Sequence, residues 1–167
     1  MTIFETPRLI VRPFTMSDEE PFFRLNSEDA VIRYVRPPKN REESHSFLLE
    51  NLALYEQMPG YGRWAMLVKE TGIMAGTFAI FPLDNTAEIQ LGYALFPEFQ
   101  GQGFATESTL AAIDYAFFQL NLPFIVAVTD AINTSSQKVL LRAGFQEYQT
   151  YKRGGILLKK FIRNRNT

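Results

Sequence analysis

Polar and apolar residues alternate early in the chain: "RLIVRPF" (Arg8–Phe14) carries the period of two that predicts a strand. Ser17, followed three residues later by Glu20, is a capping-box pattern and predicts a short helix through about Asn26. The stretch Ser27–Asn40 has no regular period, and Pro37-Pro38 stops any element there. From Arg41 to Met58 the apolar positions Phe47, Leu48, Leu52 and Tyr55 recur at helical spacing. The period then returns to two. "RWAMLVK" (Arg63–Lys69), "IMAGTFAIF" (Ile73–Phe81) and "AEIQLGYALF" (Ala87–Phe96) are separated by tight turns and predict an antiparallel meander. Phe104–Leu120 reads as a bulky helix, and "PFIVAVT" (Pro123–Thr129) as a β-branched central strand. Asn133 caps a further helix that Gly144 ends. "FQEYQTYK" and "ILLKKFI" form a closing hairpin around "RGG".

This order predicts one mixed α/β domain over residues 1–167, with a central twisted sheet of about seven strands flanked by helices. Composition narrows the chemistry. There is no cysteine and one histidine, which excludes disulfides, thiolate catalysis and Cys- or His-rich metal sites. No metal is expected. A net charge of -1 argues against a dedicated nucleic-acid binder. No apolar run reaches membrane-spanning length, and "MTIFETPRL" lacks a signal peptide's layout, so the expected location is the cytoplasm. The expected assembly is a monomer or a homodimer.

The segment with candidate chemistry is Gln100-Gly101-Gln102-Gly103, which leads from a predicted strand into a predicted helix. The first N–H groups of a helix lack intrahelical partners, and its dipole favours an anion there. Glycines without Cβ atoms let a phosphate approach that backbone. A turn that merely needs positive φ is the alternative. The Walker lysine is missing, and a dinucleotide fingerprint would open an early β-α-β unit rather than follow a meander.

"LFPEFQGQGFATE" (Leu95–Glu107) resembles the coenzyme A motif of the GCN5-related N-acetyltransferases (GNAT), with Gln100, Gly103 and Ala105 at its defining positions. "NTSSQKVLLRAGF" (Asn133–Phe145), "TPRLIVRPF" and "WAMLVKETGIMAGTFAI" resemble the branch of that family that acetylates ribosomal-protein N-termini (RimJ/RimL-like). The resemblance spans nearly the whole chain. It implies the GNAT acyltransferase fold, acetyl-CoA as cosubstrate, and an amine acceptor that is a small molecule or a peptide N-terminus. It places the pyrophosphate on Gln100, Gly101, Gln102, Gly103, Phe104, Ala105 and Thr106, and the pantetheine arm along Leu95 and Phe96 with Asn133 and Ser136 facing it.

The resemblance also frames the catalytic groups. Where the branch often carries Glu-Ile-Gly-Tyr, this chain has Gln90-Leu91-Gly92-Tyr93, and an amide is no base. Glu88 lies two residues earlier on the same predicted strand face, about 6.6 Å away, and is a candidate base acting through water. The alternative is that no dedicated base exists and Gln90 orients the amine or a water. Ser136 is the candidate proton donor to the leaving thiolate; helix capping is its bland role. Tyr93 either lines the acyl site or packs in the core. Arg33 and Arg36 in the irregular stretch either meet a carboxylate on the acceptor or face solvent. A non-catalytic acyl-CoA-binding sensor or interaction module is the rival function, and the Gln90 departure is its main support.

Overall fold

The computed structural model describes residues 1–34 and 36–166. Its strands are β1 (Phe4–Glu5), β2 (Leu9–Pro13), β3 (Gly62–Val68), β4 (Met74–Pro82), β5 (Ile89–Leu95), β6 (Phe124–Asp130), β7 (Gln146–Arg153) and β8 (Ile156–Asn164). Its α-helices are α1 (Glu19–Ser27), α2 (Asp29–Ile32), α3 (Arg41–Gln57), α4 (Phe104–Asp114) and α5 (Thr134–Arg142). The strands form one sheet in the order β1-β2-β3-β4-β5-β6-β8-β7. All neighbours are antiparallel except β5 and β6.

Alternation along the meander feeds two apolar layers. Trp64 and Met66 of β3 join Phe78, Ile80 and Leu91 beneath Ala112 and Ile113 of α4 and Leu140 of α5. Ala65, between them, faces the other way, with Phe14, Phe22, Ile32, Leu48 and Phe96 under α1 to α3. The sheet is therefore covered on both faces, which suits strands buried on both sides.

The meander, the central β6 and the closing hairpin agree with the sequence pattern. Four details differ. The sheet has eight strands because the two-residue β1, too short to leave a period, pairs with β2. The capping box sits two residues earlier than the Ser17–Glu20 pattern predicts: Asp18 Oδ2 accepts the Thr15 N–H at 2.8 Å, and a 3-10 turn over Met16–Asp18 precedes α1. The irregular stretch contains α2. The long helix predicted to Leu120 is α-helical only to Asp114 and continues as a π-turn over Tyr115–Gln119.

The capping box is formed by Thr15 and Asp18 in place of Ser17 and Glu20, and a partly exposed arginine fixes Asp18 there. Arg12 donates to both Asp18 oxygens at 2.8 and 2.9 Å, tying β2 to the start of α1. Burial would raise the Asp18 carboxyl, but the bonds from Arg12 and Thr15 outweigh it and hold it below its ordinary value. A carboxyl lowered on folding stabilises the fold above its unfolded pKa and loses that contribution as pH falls through the folded value. Asp18→Asn is expected to cost about 1.5–3 kcal/mol near neutral pH, the scale of hydrogen bonds to charged groups. The gap to the parent protein should close in acid, as denaturant melts at several pH values would reveal.

Gly76 allows β4 and β5 to approach closely at the end of their pairing. A Cβ built there would lie 2.0 Å from the Ala94 carbonyl oxygen and 2.9 Å from Leu95 Cα. Gly76→Ala must therefore push β5 aside. An overpacking loss of about 1–3 kcal/mol is expected, measurable by chemical denaturation; an unchanged midpoint would contradict this close approach.

Candidate active site

Strands β5 and β6 run parallel but are paired in register only at Gln90 and Val126. Beyond that point they part, and β5 keeps its partner β4 on one side only. Phe96 donates its N–H to the Ala75 carbonyl at 2.9 Å, and Leu83 donates to Glu88 at the other end of the same ladder. By antiparallel alternation, Gln90, Gly92, Ala94 and Phe96 turn their backbone groups toward β4. Tyr93 and Leu95 turn theirs into the opening between β5 and β6. This corrects the expectation for Phe96. Its N–H is spent on Ala75, its carbonyl accepts from Phe99, and its ring is buried under the Arg24 guanidinium. Leu95 alone of that pair borders the groove.

The glycine turn lies at the end of this opening. Gly101 and Gly103 have φ of 73° and 84°, the left-handed region that glycine adopts without strain. Gly103 is the N-cap of α4, and no side chain caps that end. The first bond into the cap is from Glu107 N–H to the Gly103 carbonyl, so the N–H groups of Phe104, Ala105 and Thr106 precede the helical ladder. A Cβ at Gly101 would meet nothing within 4 Å, so the backbone there is open to a ligand. These features fit a pyrophosphate.

The turn is braced from outside. Gln100 Nε2 donates to the Leu95 carbonyl at 3.1 Å, and Gln102 Nε2 to the Glu98 carbonyl at 2.8 Å. Gln102 thus supports the turn and is absent from the groove lining that Gln100, Gly101, Gly103, Phe104, Ala105 and Thr106 share. Arg8 donates to the Gln102 carbonyl at 3.0 Å, binds Glu107 and lies over the Phe104 ring. Burial would raise the Glu107 carboxyl, but bonds from Thr6 and Arg8 prevail and lower it.

Two cavities meet beside β5. The larger, about 690 Å³, runs along the glycine turn. The smaller, about 310 Å³, lies between β4, β5 and β6. They share Tyr34, Tyr93, Ala94, Asn133 and Ser136. Asn133 caps α5 by accepting the Ser136 N–H at 3.3 Å, so capping uses the backbone of Ser136 and not its hydroxyl. The hydroxyl lies near the Tyr93 phenol where the two cavities meet. Burial pushes the Tyr93 phenol up, the nearby Ser136 offsets part of this, and the net shift is upward, so the phenol keeps its proton at neutral pH.

Gln90 lines the smaller cavity; Glu88 does not. Glu88 precedes β5 and is occupied elsewhere. One oxygen pairs with the Lys160 ammonium and the other accepts from the Tyr148 hydroxyl at 3.1 Å. Burial would lower the Lys160 ammonium, yet its bond to Glu88 and the nearby Tyr148 hold it above its ordinary value. Glu88 therefore fastens β7 and β8 to the start of β5. Period-two spacing found its face but not the lysine that sequence places 72 residues away.

Sequence reasoning gave no role to several lining residues. Ser135, Lys138, Val139 and Arg142 of α5 border the larger cavity. Their spacing of three, one and three residues is a single helical face, a signal that was available. Arg63, Asp84 and Asp130 border the smaller one and come from three separate segments, with no shared local pattern. Among the described residues no group of three His, Asp or Glu side chains is placed to hold a metal, and no helix is long and apolar enough to cross a membrane.

Comparison with known proteins agrees with this geometry. Residues 8–146 match the family model described as an acetyltransferase (GNAT) domain. An uncharacterized N-acetyltransferase of Bacillus subtilis, YoaA, is 34% identical over 148 residues, covering 87% of this chain and 83% of its own. Two solved structures share the fold at lower identity. One is the Salmonella typhimurium acetyl transferase that modifies the N-terminal serine of ribosomal protein L7/L12. It has a TM-score of 0.78 and 19% identity, with 95% and 96% of the two chains covered. The other is the Vibrio cholerae spermidine N-acetyltransferase in complex with CoA and spermine. It has a TM-score of 0.79 and 18% identity, with 95% and 96% covered. The chain belongs to the GNAT family of acetyl-CoA-dependent N-acetyltransferases.

Proposed function

We propose that the protein moves the acetyl group of acetyl-CoA directly onto a primary amine while both substrates are bound. The observation that carries this reading is the meeting of the two cavities at Tyr93 and Ser136, beside the unpaired edge of β5. The N–H groups at the start of α4 receive the pyrophosphate. Lys138 and Arg142 add positive charge along the same groove. The Leu95 backbone pairs with the pantetheine arm as a further strand would. The acceptor enters through the smaller cavity.

In the reaction the amine nitrogen forms a bond to the thioester carbonyl carbon, and the carbon–sulfur bond breaks. An unpaired β5 N–H faces the carbonyl oxygen as it gains charge. Gln90 orients a water that carries off the amine's proton, since its amide cannot accept one. Tyr93, steadied by Ser136, gives a proton to the leaving thiolate and recovers one from solvent. This makes the phenol the donor and the serine its support, in place of the serine alone. Placing both substrates together supplies the rest of the acceleration.

Gln90, at a position where the related branch carries a carboxylate, favours a second reading: acyl-CoA binding without turnover. Incubation with acetyl-CoA and a panel of amines and peptide N-termini, with free thiol as the readout, separates the two. Thiol release that requires an amine supports transfer. Tight acetyl-CoA binding without release under any acceptor supports the binding module.

Gly101→Ala projects a methyl group from the open face of the turn. Calorimetric acetyl-CoA affinity is expected to fall about tenfold or more, the scale of one charge-assisted contact. Circular dichroism should show the fold retained; unaltered affinity would remove the turn from the coenzyme site. Tyr93→Phe removes the proposed acid while leaving the ring that stacks on Phe78 at 6.2 Å. Its single-turnover rate should drop about 10²-fold, within the range of general-acid effects, with a smaller drop for Ser136→Ala. The reverse ranking would return the donor role to Ser136.

A further inference from the structure

Two arginines that line the smaller cavity have no ion-pair partner among the described residues. Arg36, from the segment after α2, and Arg63, from β3, both line it. Both are half-buried. Their guanidinium carbons lie 5.1 and 5.2 Å from the centre of one ring, Phe47, and Arg63 is also 4.1 Å from the Phe81 ring. Elsewhere Arg8, Arg12, Arg24, Arg33 and Arg41 each hold an Asp or Glu. Among the described residues, neither Arg36 nor Arg63 has an ion-pair partner.

Two like charges on one ring, partly withdrawn from water, are unfavourable. Burial pulls the Arg36 guanidinium down to about 10, and the nearby charge of Arg63 adds to the effect. Arg63 is lowered by burial as well, with Asp84 opposing. Both stay charged at neutral pH. Aromatic faces return part of the lost hydration. Arg36 is moreover held in place: its Nε donates at 3.2 Å to Oδ1 of Asn26, which is 1% exposed and anchored in turn on the Phe22 carbonyl. A side chain that only covered Phe47 would not need that support. The opposite charge in the cavity comes from Asp130, three residues before the Asn133 cap and so toward the Tyr93–Ser136 end, and from exposed Asp84.

We propose that the acceptor is a small molecule bearing a carboxylate as well as its primary amine, the carboxylate held between Arg36 and Arg63 and the amine toward Tyr93 and Ser136. A guanidinium fork matches a carboxylate's two oxygens, and an anion there would relieve both arginines at once. A polyamine would bring a cation to the same place. The inference rests on the acetyl-transfer reading and deepens it by naming the substrate class.

The test pairs acceptors that differ only in charge: α- and ω-amino acids, each beside its carboxamide, with spermidine as the cationic comparison. Rates are compared per neutral amine, so that differing amine pKa values do not bias the result. The acid of each productive pair is expected to exceed its carboxamide in kcat/KM by about tenfold or more, as for one charge-assisted contact. Arg36→Gln and Arg63→Gln should each bring that ratio toward one, mainly through KM, with acetyl-CoA affinity checked by calorimetry. Carboxamides or spermidine equalling or outrunning the acids would overturn the proposal, and so would a ratio that survives both substitutions in folded protein. Calorimetry supplies a readout free of turnover: CoA-loaded protein is titrated with an N-acetylated amino acid and with its carboxamide. If no amine is acetylated, the catalytic reading fails, and this titration still decides the matter. Tighter binding of the anion supports the arginine clasp, and equal binding overturns it.

Discussion

The parting of β5 from β6 is the constraint from which the site follows. A parallel pair that continued past Gln90 and Val126 would satisfy the β5 backbone and bury it. Because pairing ends there, the outward groups of Tyr93 and Leu95 have no strand partner, and only the Leu95 carbonyl is met from within, by Gln100 Nε2. An unpaired strand edge normally invites another chain. Here α4, α5 and the segment around α2 enclose it, so only a slender extended ligand can reach it. The pantetheine arm, an extended chain with amide groups, has that shape.

Holding the opening in place falls to contacts distant from it. Arg8 on the N-terminal hairpin grips Glu107 and the Gln102 carbonyl across the glycine turn. Arg24 of α1 binds both Glu98 and Glu28 and stacks on Phe96, fixing the far end of β5. At the near end Lys160 and Tyr148 hold Glu88. The exposed pairs of Arg24 contribute little stability singly. The value of these contacts is positional: each fixes β5 or the glycine turn that follows it.

The site also divides its labour between two kinds of order. The larger cavity is bordered at its glycine end mostly by backbone, set by left-handed glycines and a bare helix end. The smaller cavity is bordered mostly by side chains, with Gln90, Tyr93, Arg36 and Arg63 brought from different elements. Members of one family can therefore share a coenzyme groove while their acceptor cavities differ in charge and size.

The sequence by itself determined what is local. Period-two runs marked the meander, β-branched residues marked β6, and Gly103 and Asn133 marked the starts of α4 and α5; the Gln100–Thr106 turn was legible as a turn because strand, turn and helix end are contiguous. Tertiary structure decided what depends on residues far apart in the chain. Thr15 and Asp18 displaced Ser17 and Glu20 in the first capping box, with Arg12 of β2 holding Asp18. Phe96 lost its backbone to Ala75, a matter of register. Glu88 went to Lys160, and Ser136 came to lie beside Tyr93, with its backbone rather than its hydroxyl in the helix cap. Arg36 and Arg63 became neighbours through Phe47. Periodicity fixes which face a side chain takes within its own element. Which charge or hydroxyl waits on that face is set by the packing of other elements, and local sequence does not carry it.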